Sequence, residues 1–415
     1  VAAPSIDTAE RRRRLGVRHA LAAGHRAADP VEAARRVVGL HGTDPASAYL
    51  AVHARVEGAH AADLSAELYD SRRLLRLLGM RRTVFVVPAD LRAAIQSSTL
   101  PRVANAHRST LLKDLVAIGV ADPGAWLDDV EAATLSALIA RGSASATELV
   151  QDEPRLGTTL VVSPGKPYAA TPAITSRVLL LLGARGLIIR GRPSGSWVSR
   201  RYLWVPTGRW LESAGDPSVT LLAPAVHAAE HSFGAMSVAT PAAADGAGEV
   251  VRRWLGAFGP ARVTDLRWWA GWTAAQTAQA LAAVGAVEVA LGDGAGVALP
   301  GDLDSTPDPG PWAALLPALD ATPMGWHARE WFLGAHQAAL FDTMGNIGPS
   351  IWVDGRIVGG WAQRQNGEIA LAVLEDIGSE AMGQVQAAAA STTAFLGDTR
   401  FTPSFRTPTE RRLTG

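Results

Sequence analysis

A helix closed by glycine and followed at once by a basic, β-branched run narrows the possible folds of this chain more than any other feature. Ser71-Arg72-Arg73-Leu74-Leu75-Arg76-Leu77-Leu78-Gly79 reads as such a helix. Arg81-Arg82-Thr83-Val84-Phe85-Val86-Val87-Pro88 reads as the strand after it, because β-branched and aromatic residues favour a pleated surface. The order returns at 145–206. Ser145 starts one helix, Thr171-Pro172 caps another that runs through Arg177 to Gly183, and two strands flank a Gly/Pro/Ser turn. Arg190 and Arg192 lie on the rising limb of that hairpin, Trp197 at its tip, and Arg200 and Arg201 on the falling limb. A third copy covers 247–300. It has helices at 250–258 and 263–270, a third capped by Thr273 and ending near Gly285, and a hairpin of 286–291 and 296–300 turning through Gly292-Asp293-Gly294. Helices followed by a basic hairpin are the order of a winged helix, a recognition helix leading into a wing. The copies are unevenly spaced, so this is repetition of a structural unit rather than a short-period solenoid.

From about 301 the character changes to β. Asp354-Gly355 separates Pro349-Ser350-Ile351-Trp352-Val353 from Arg356-Ile357-Val358-Gly359-Gly360-Trp361, and Asn366-Gly367 supplies a second hairpin turn. A small antiparallel barrel is the economical expectation, followed by an alanine-rich helix at 380–395 and a basic tail from Arg400 to Arg412. The fold class is therefore α+β, tandem winged helices with a C-terminal barrel element. Expected boundaries are 1–122, 123–208, 209–300 (with 207–246 as an Ala/Pro/Gly-rich linker) and 301–415.

With 415 residues the chain can bury several cores, and 48% hydrophobic with 19% charged residues is ordinary for a folded soluble protein. No apolar run approaches the roughly 20 residues of a membrane span, and the first residues have no apolar export segment. Cysteine is absent, which excludes disulfides and thiolate metal sites. A cytoplasmic, nucleoid-associated monomer is expected. The formal charge of zero argues against a uniformly basic nucleic-acid binder. The basic charge is nevertheless almost all arginine, with lysine only at 113 and 166, and it is clustered on the two hairpin units. Solvated faces would explain either cluster alone. Two at equivalent positions favour duplex DNA, with Arg72, Arg73, Arg76, Arg81, Arg82, Arg177, Arg190, Arg192, Arg200 and Arg201 as the contacts.

Between two helices lies a polar joint, Gly39-Leu40-His41-Gly42-Thr43-Asp44-Pro45. Asp29-Pro30 and Asp44-Pro45 are matching helix starts, each an Asx cap with proline at the first helical position. His41 and Thr43 then sit at the mouth of a helix, facing outward beside free backbone N–H groups, and the positive end of the helix dipole should keep the imidazole neutral at pH 7. Asp44 reads first as a cap.

Two motifs carry less. His227-Ala228-Ala229-Glu230-His231 matches the H-x-x-E-H zinc pattern. A metal needs a third ligand and an ordered helix, whereas Pro224 and Gly234 make the surroundings read as linker, so no metal is expected. Gly292-Asp293-Gly294-Ala295-Gly296 joins two strands and is a hairpin turn, not a dinucleotide fingerprint. The thirteen tryptophans read mostly as core, and Trp197 alone has a route to nucleic acid, its competing role being to pack across the hairpin.

VVGLHGTDPASAYLAVHARV, LLRLLGMRRTVFVV, Asp265-Leu266-Arg267-Trp268-Trp269-Ala270-Gly271-Trp272, LLPALDATPMGW, and GNIGPSIWVDGRIVGGWAQR with FRTPTERR together resemble the winged-helix DNA glycosylases of the AlkZ/YcaQ type, over nearly the whole chain. The resemblance implies three tandem winged helices forming a concave DNA-binding face, closed by a C-terminal barrel element with a hairpin near the minor groove; Arg364 in the last motif joins the DNA contacts. It also implies hydrolysis of the N-glycosidic bond of alkylated, N7-substituted and bulky or crosslinked purines, without metal or cofactor. Family members hold a catalytic Gln-x-Gln or Gln-x-Asp pair in the helix joint. At the matching positions this chain has His41-Gly42-Thr43, a variant pair, with Asp44 as a third catalytic candidate that would add negative potential if not spent as a cap. A DNA-binding regulator without catalysis is the competing expectation.

Overall fold

The computed structural model describes residues 3–161, 170–212 and 242–415. His227, Glu230 and His231 lie outside the described residues. No described helix is long and apolar enough to cross a membrane.

The first segment opens with strand β1 (Ser5–Ile6) and the helix Thr8–Arg18, capped by Asp7. The two Asx-Pro starts behave as local physics requires. Asp29 accepts the Glu32 N–H at 2.7 Å to start Pro30–Arg36, and Asp44 accepts the Ala46 N–H at 3.2 Å to start Pro45–His53. Between them the chain forms a short strand, β2 (Leu40–His41). After the helix Ala61–Tyr69 come β3 (Leu74–Leu78) and β4 (Val84–Pro88), and the sheet order is β2-β4-β3, antiparallel throughout.

The helix expected at 71–78 is thus a strand. Leu74, Leu75, Arg76 and Leu77 are all buried, so both faces of the run are covered. A short run buried on both faces has no period, and strand pairing decides its state. Arg72, Arg73 and Arg76 therefore lie on or beside a strand, not on a recognition helix.

The second segment contains Leu100–Ala117, Pro123–Arg141, Ala146–Asp152 and Thr175–Ala184, then the hairpin β5 (Ile188–Pro193) and β6 (Tyr202–Pro206). Ser145 and Glu148 close a reciprocal cap, at 3.2 and 2.7 Å. The last helix starts at Thr175, not at Thr171-Pro172. The expected linker begins with a helix, Thr207–Glu212.

The third segment has Ala243–Phe258, Val263–Ala270 and Ala274–Ala283, the last capped by Thr273. Its hairpin, β7 (Val287–Leu291) and β8 (Gly294–Ala298), turns at Gly292-Asp293, and β1 adds to its edge in parallel. One arrangement recurs in all three segments. A helix is followed by a residue or two bridged to the last strand of the later hairpin, then two helices, then the hairpin. The bridges are β2 to β4, Ala144 to Trp204, and Ala261 to Val297.

The C-terminal sheet has order β12-β11-β10-β9, from β9 (Ala313–Leu316), β10 (Ser350–Val353), β11 (Arg356–Gln363) and β12 (Ile369–Val373). It is open, not the expected barrel. Its apolar face needs no closure because the helix Gly378–Leu396 covers it: Val385, Ala389 and Leu396 pack with Leu315, Ile351, Val353 and Trp361. Asp354-Gly355 forms the expected turn at φ 46° and 80°. The basic tail ends in a further helix, Pro408–Thr414. A single large core runs from Leu15 through Val87 and Trp254 to Trp352, while a second core joins Leu111 to Ile188.

Candidate active site

The joint is built by backbone pairing before any side chain matters. Pro30–Arg36 ends, and Val38 turns the chain at φ 65°, a left-handed conformation costly for a β-branched residue. The next residues zip onto β4. His41 faces Phe85 in register, Gly42 donates to the Val84 carbonyl at 2.7 Å, and the Val84 N–H donates to the Thr43 hydroxyl at 3.3 Å. One strand therefore fixes both members of the polar pair.

His41 is 3% exposed, which corrects the outward-facing placement expected from the sequence. Its ring lies 5.3 Å from that of Phe85. The Thr43 N–H approaches Nδ1 at a long 3.5 Å, so Nδ1 is the acceptor and the neutral ring carries its proton on Nε2. Burial, then the nearby Arg81 charge, push the imidazole down to about 3. The neutral state is the one anticipated, but desolvation and Arg81 cause it, not the helix end. Thr43 is half-buried, and among the described residues its hydroxyl proton has no acceptor. Asp44 is spent structurally: Oδ1 caps the helix, and Oδ2 accepts from Ser404 N–H at 2.8 Å and Ser404 Oγ at 3.2 Å. Two cavities, about 400 Å³ beside His53 and Trp312 and about 550 Å³ beside Ala243 and Gln276, are lined by neither His41 nor Thr43.

The candidate DNA contacts are divided. Arg81 and Arg82 form the β3–β4 turn at the end of the strand that holds His41 and Thr43. A second group interlocks the two hairpins. Arg72 donates to the Trp210 carbonyl at 2.7 Å and stacks on that ring at 4.2 Å, and Arg192 lies 4.9 Å from the Tyr69 ring and 2.7 Å from Asp70. Arg76, 1% exposed, donates to the Tyr202 hydroxyl; Arg190 lies over Tyr202 and Trp204 at 5.5 and 5.3 Å. Arg73 pairs with Glu67 and Asp29, Arg177 with Asp114, and Arg364 with Glu368. Arg82, Arg200 and Arg201 are exposed. Trp197 packs inward against Tyr49 at 4.8 Å and Phe395 at 5.9 Å, on two helices outside its hairpin, and not across the hairpin itself.

Sequence reasoning missed a buried polar network behind the joint. Arg55 donates to Asp320 at 2.7 and 2.9 Å and to Thr322 Oγ at 2.8 Å. Guanidinium only donates, so the Thr322 hydroxyl passes its proton to His19 Nδ1 at 2.9 Å, and His19 Nε2–H donates to the Ala257 carbonyl at 3.1 Å. Burial first, then Arg55, push His19 down to about 3. No spacing signal links Arg55 to Asp320, 265 residues away.

The chain matches the family described as DNA glycosylase AlkZ-like over residues 34–395, and it belongs to that family. DNA is therefore the polymer on which its class acts. Its fold is similar to that of Streptomyces sahachiroi DNA glycosylase AlkZ, with a TM-score of 0.70 over 96% of this chain and 98% of that one, at 18% identity. Comparison with curated protein sequences gives no match.

Proposed function

We propose that this protein is a monofunctional glycosylase that hydrolyses the N-glycosidic bond of N7-alkylated purines, bulky and crosslinked ones included, in duplex DNA. The recurring order of helix, bridging strand, two helices and hairpin supports reading the three segments as winged helices on the duplex. The single observation that carries the site is the attachment of His41 and Thr43, where the resemblance puts the family's catalytic pair, to one strand with a neutral imidazole.

The chemistry asks little of that pair. An N7-alkylated purine is cationic, so the bonding electrons of N9–C1′ leave with the base, which departs neutral. Water then adds to an oxocarbenium-like C1′, and its oxygen becomes so acidic that a weak base suffices to take the proton. His41 and Thr43 would orient that water; Asp44 and Ser404 hold the joint still. An abasic site is left, and no metal or cofactor takes part.

Incubation with an N7-methylguanine duplex should release the base, and His41→Ala and Thr43→Ala should slow release at least tenfold without loss of folding. No release by the native protein would reject the reading. The burial of His41 favours a second reading, DNA binding without catalysis. It predicts sequence-selective binding of undamaged duplex, with no product under any condition.

A further inference from the structure

Met80-Arg81-Arg82-Thr83 is a tight β-turn at the tip of the β3–β4 hairpin with both central residues left-handed, at φ 52° and 66°, closed by Thr83 N–H to the Met80 carbonyl at 3.1 Å. Asn-Gly is the sequence such turns prefer. Two arginines here are conformationally expensive, and a strained turn beside a reaction site asks what it presents. The Arg81 stem lies along Gly271, and its guanidinium rests 3.8 Å from the centroid of the Trp268 ring. Arg329 reaches the same ring at 5.0 Å.

Neither guanidinium has a carboxylate within ion-pair distance among the described residues. Arg81 makes no hydrogen bond there, and its Nε is buried unpaired. Arg329 has only the Pro323 carbonyl at 3.1 Å and the Met324 sulfur at 3.9 Å. The carboxylates felt by Arg329 are Asp265 and Glu330. Asp265 is already committed to three backbone N–H groups, of Arg262, His327 and Ala328, at 2.9–3.2 Å, and Glu330 is exposed. Burial, then mutual repulsion, pull Arg81 down to about 10, and burial does the same to Arg329, so both stay charged at neutral pH. Arg81, Arg329 and Trp268 keep partial exposure, with Arg82 and His327 exposed around them. Two largely buried guanidinium groups on one indole, neither with an ion-pair partner among the described residues, suit an oxyanion.

We propose that Arg81 and Arg329, laid against Trp268 at the end of the strand that holds His41 and Thr43, form a phosphate subsite for a backbone phosphodiester next to the reacting nucleotide. This rests on the reading of the chain as a DNA glycosylase. The subsite would fix register, because a phosphate held at the turn sets which sugar stands before the polar pair.

The full chain is tested with an N7-methylguanine duplex in which each phosphate near the lesion is replaced in turn by a neutral methylphosphonate. One position should weaken binding about tenfold. Arg81→Gln and Arg329→Gln should lose that sensitivity and lower the slope of log K against log salt by about one each. Arg329→Lys should keep the slope, separating charge from packing, and thermal melting checks the fold of each variant. Equal binding at every methylphosphonate position overturns the proposal without relying on any variant. So do unchanged slopes in folded glutamine variants. Titration with inorganic phosphate at constant ionic strength covers the other source: tight binding of free phosphate, with no positional effect in DNA, makes this a free-anion site and rejects the phosphodiester. A native protein that shows the positional effect but releases no base would retain the subsite and reject the glycosylase.

Discussion

Protonating His41 should unfold this protein from the inside, and the size of the effect follows from its burial. The folded imidazole titrates at about 3, against an ordinary 6.5, because burial and then Arg81 oppose the charged form. The unfolded chain therefore binds a proton below pH 6.5 that the folded chain refuses until about pH 3. Stability from this group is complete above 6.5, falls as the pH drops through that window, and is fully lost below 3. The span of 3.5 units corresponds to about 5 kcal/mol, of which about 2 kcal/mol is lost by pH 5. His41→Asn removes the titration while keeping a similar polar volume. Urea unfolding at pH 7 and pH 5 should show a pH-dependent loss about 2 kcal/mol smaller in His41→Asn than in the native chain. Base release, if His41 orients water without accepting a proton at equilibrium, should show no limb between pH 5 and 8 attributable to this residue. Equal pH sensitivity of the two proteins would refute the buried neutral imidazole. A rate limb near pH 6.5 that vanishes with His41 would do the same.

Three further outcomes are expected. Asp320→Asn leaves the Arg55 charge, 0% exposed, without its partner and should cost about 3–5 kcal/mol by calorimetry, whereas Arg55→Met with Asp320→Leu should recover most of it. Asp44→Ala removes a cap and strands the Ser404 donors, so it should cost about 2 kcal/mol in urea unfolding and, by loosening the joint, also slow base release in the folded protein. Arg82→Gly places glycine at a φ of 66° and should raise stability by about 0.5–1 kcal/mol, yet weaken duplex binding and reduce its salt dependence in fluorescence titration.

What could be read without the structure was what depends on near neighbours. Asp29-Pro30, Asp44-Pro45 and Ser145 with Glu148 announce helix starts because each cap closes within three residues. Asp354-Gly355 announces its hairpin for the same reason. Leu74–Leu78 misled because a leucine-rich run buried on both faces carries no period, and Leu40–His41 is too short to show one. The polar pair itself was visible at residues 41 and 43; its enclosure was not, since the Phe85 ring meets His41, and the charges of Arg81 and Asp320 reach it, only once the chain has folded. Trp268 and Arg329 sat in or near recognisable stretches, but nothing local said that Arg81 would complete them. The open C-terminal sheet was mistaken for a barrel because hairpin turns report pairing between neighbours and say nothing about whether the first and last strands meet.

Long-range ties make the joint stiff, and stiffness is what a water-orienting site requires. Asp44 is held by Ser404, Ser47 Oγ donates to the Ala318 carbonyl at 2.6 Å, and Arg55 closes on Asp320, so both ends of the helix Pro45–His53 are gripped by the C-terminal third of the chain. On the other side β4 grips His41 and Thr43 and carries straight into the Arg81-Arg82 turn. A cationic substrate would be repelled by a protonated imidazole, and burial with Arg81 nearby ensures that none forms at neutral pH. The same Arg81 charge would draw a phosphate, not a cationic base. On the proposed reading, opposite demands, a neutral group before the sugar and a positive one before the backbone, would thus be met by two residues at the two ends of one strand pairing. Sliding β4 by a single residue would move Phe85 from opposite His41 and leave Arg81 off its tryptophan, so the arrangement depends on register as well as on the identity of either side chain.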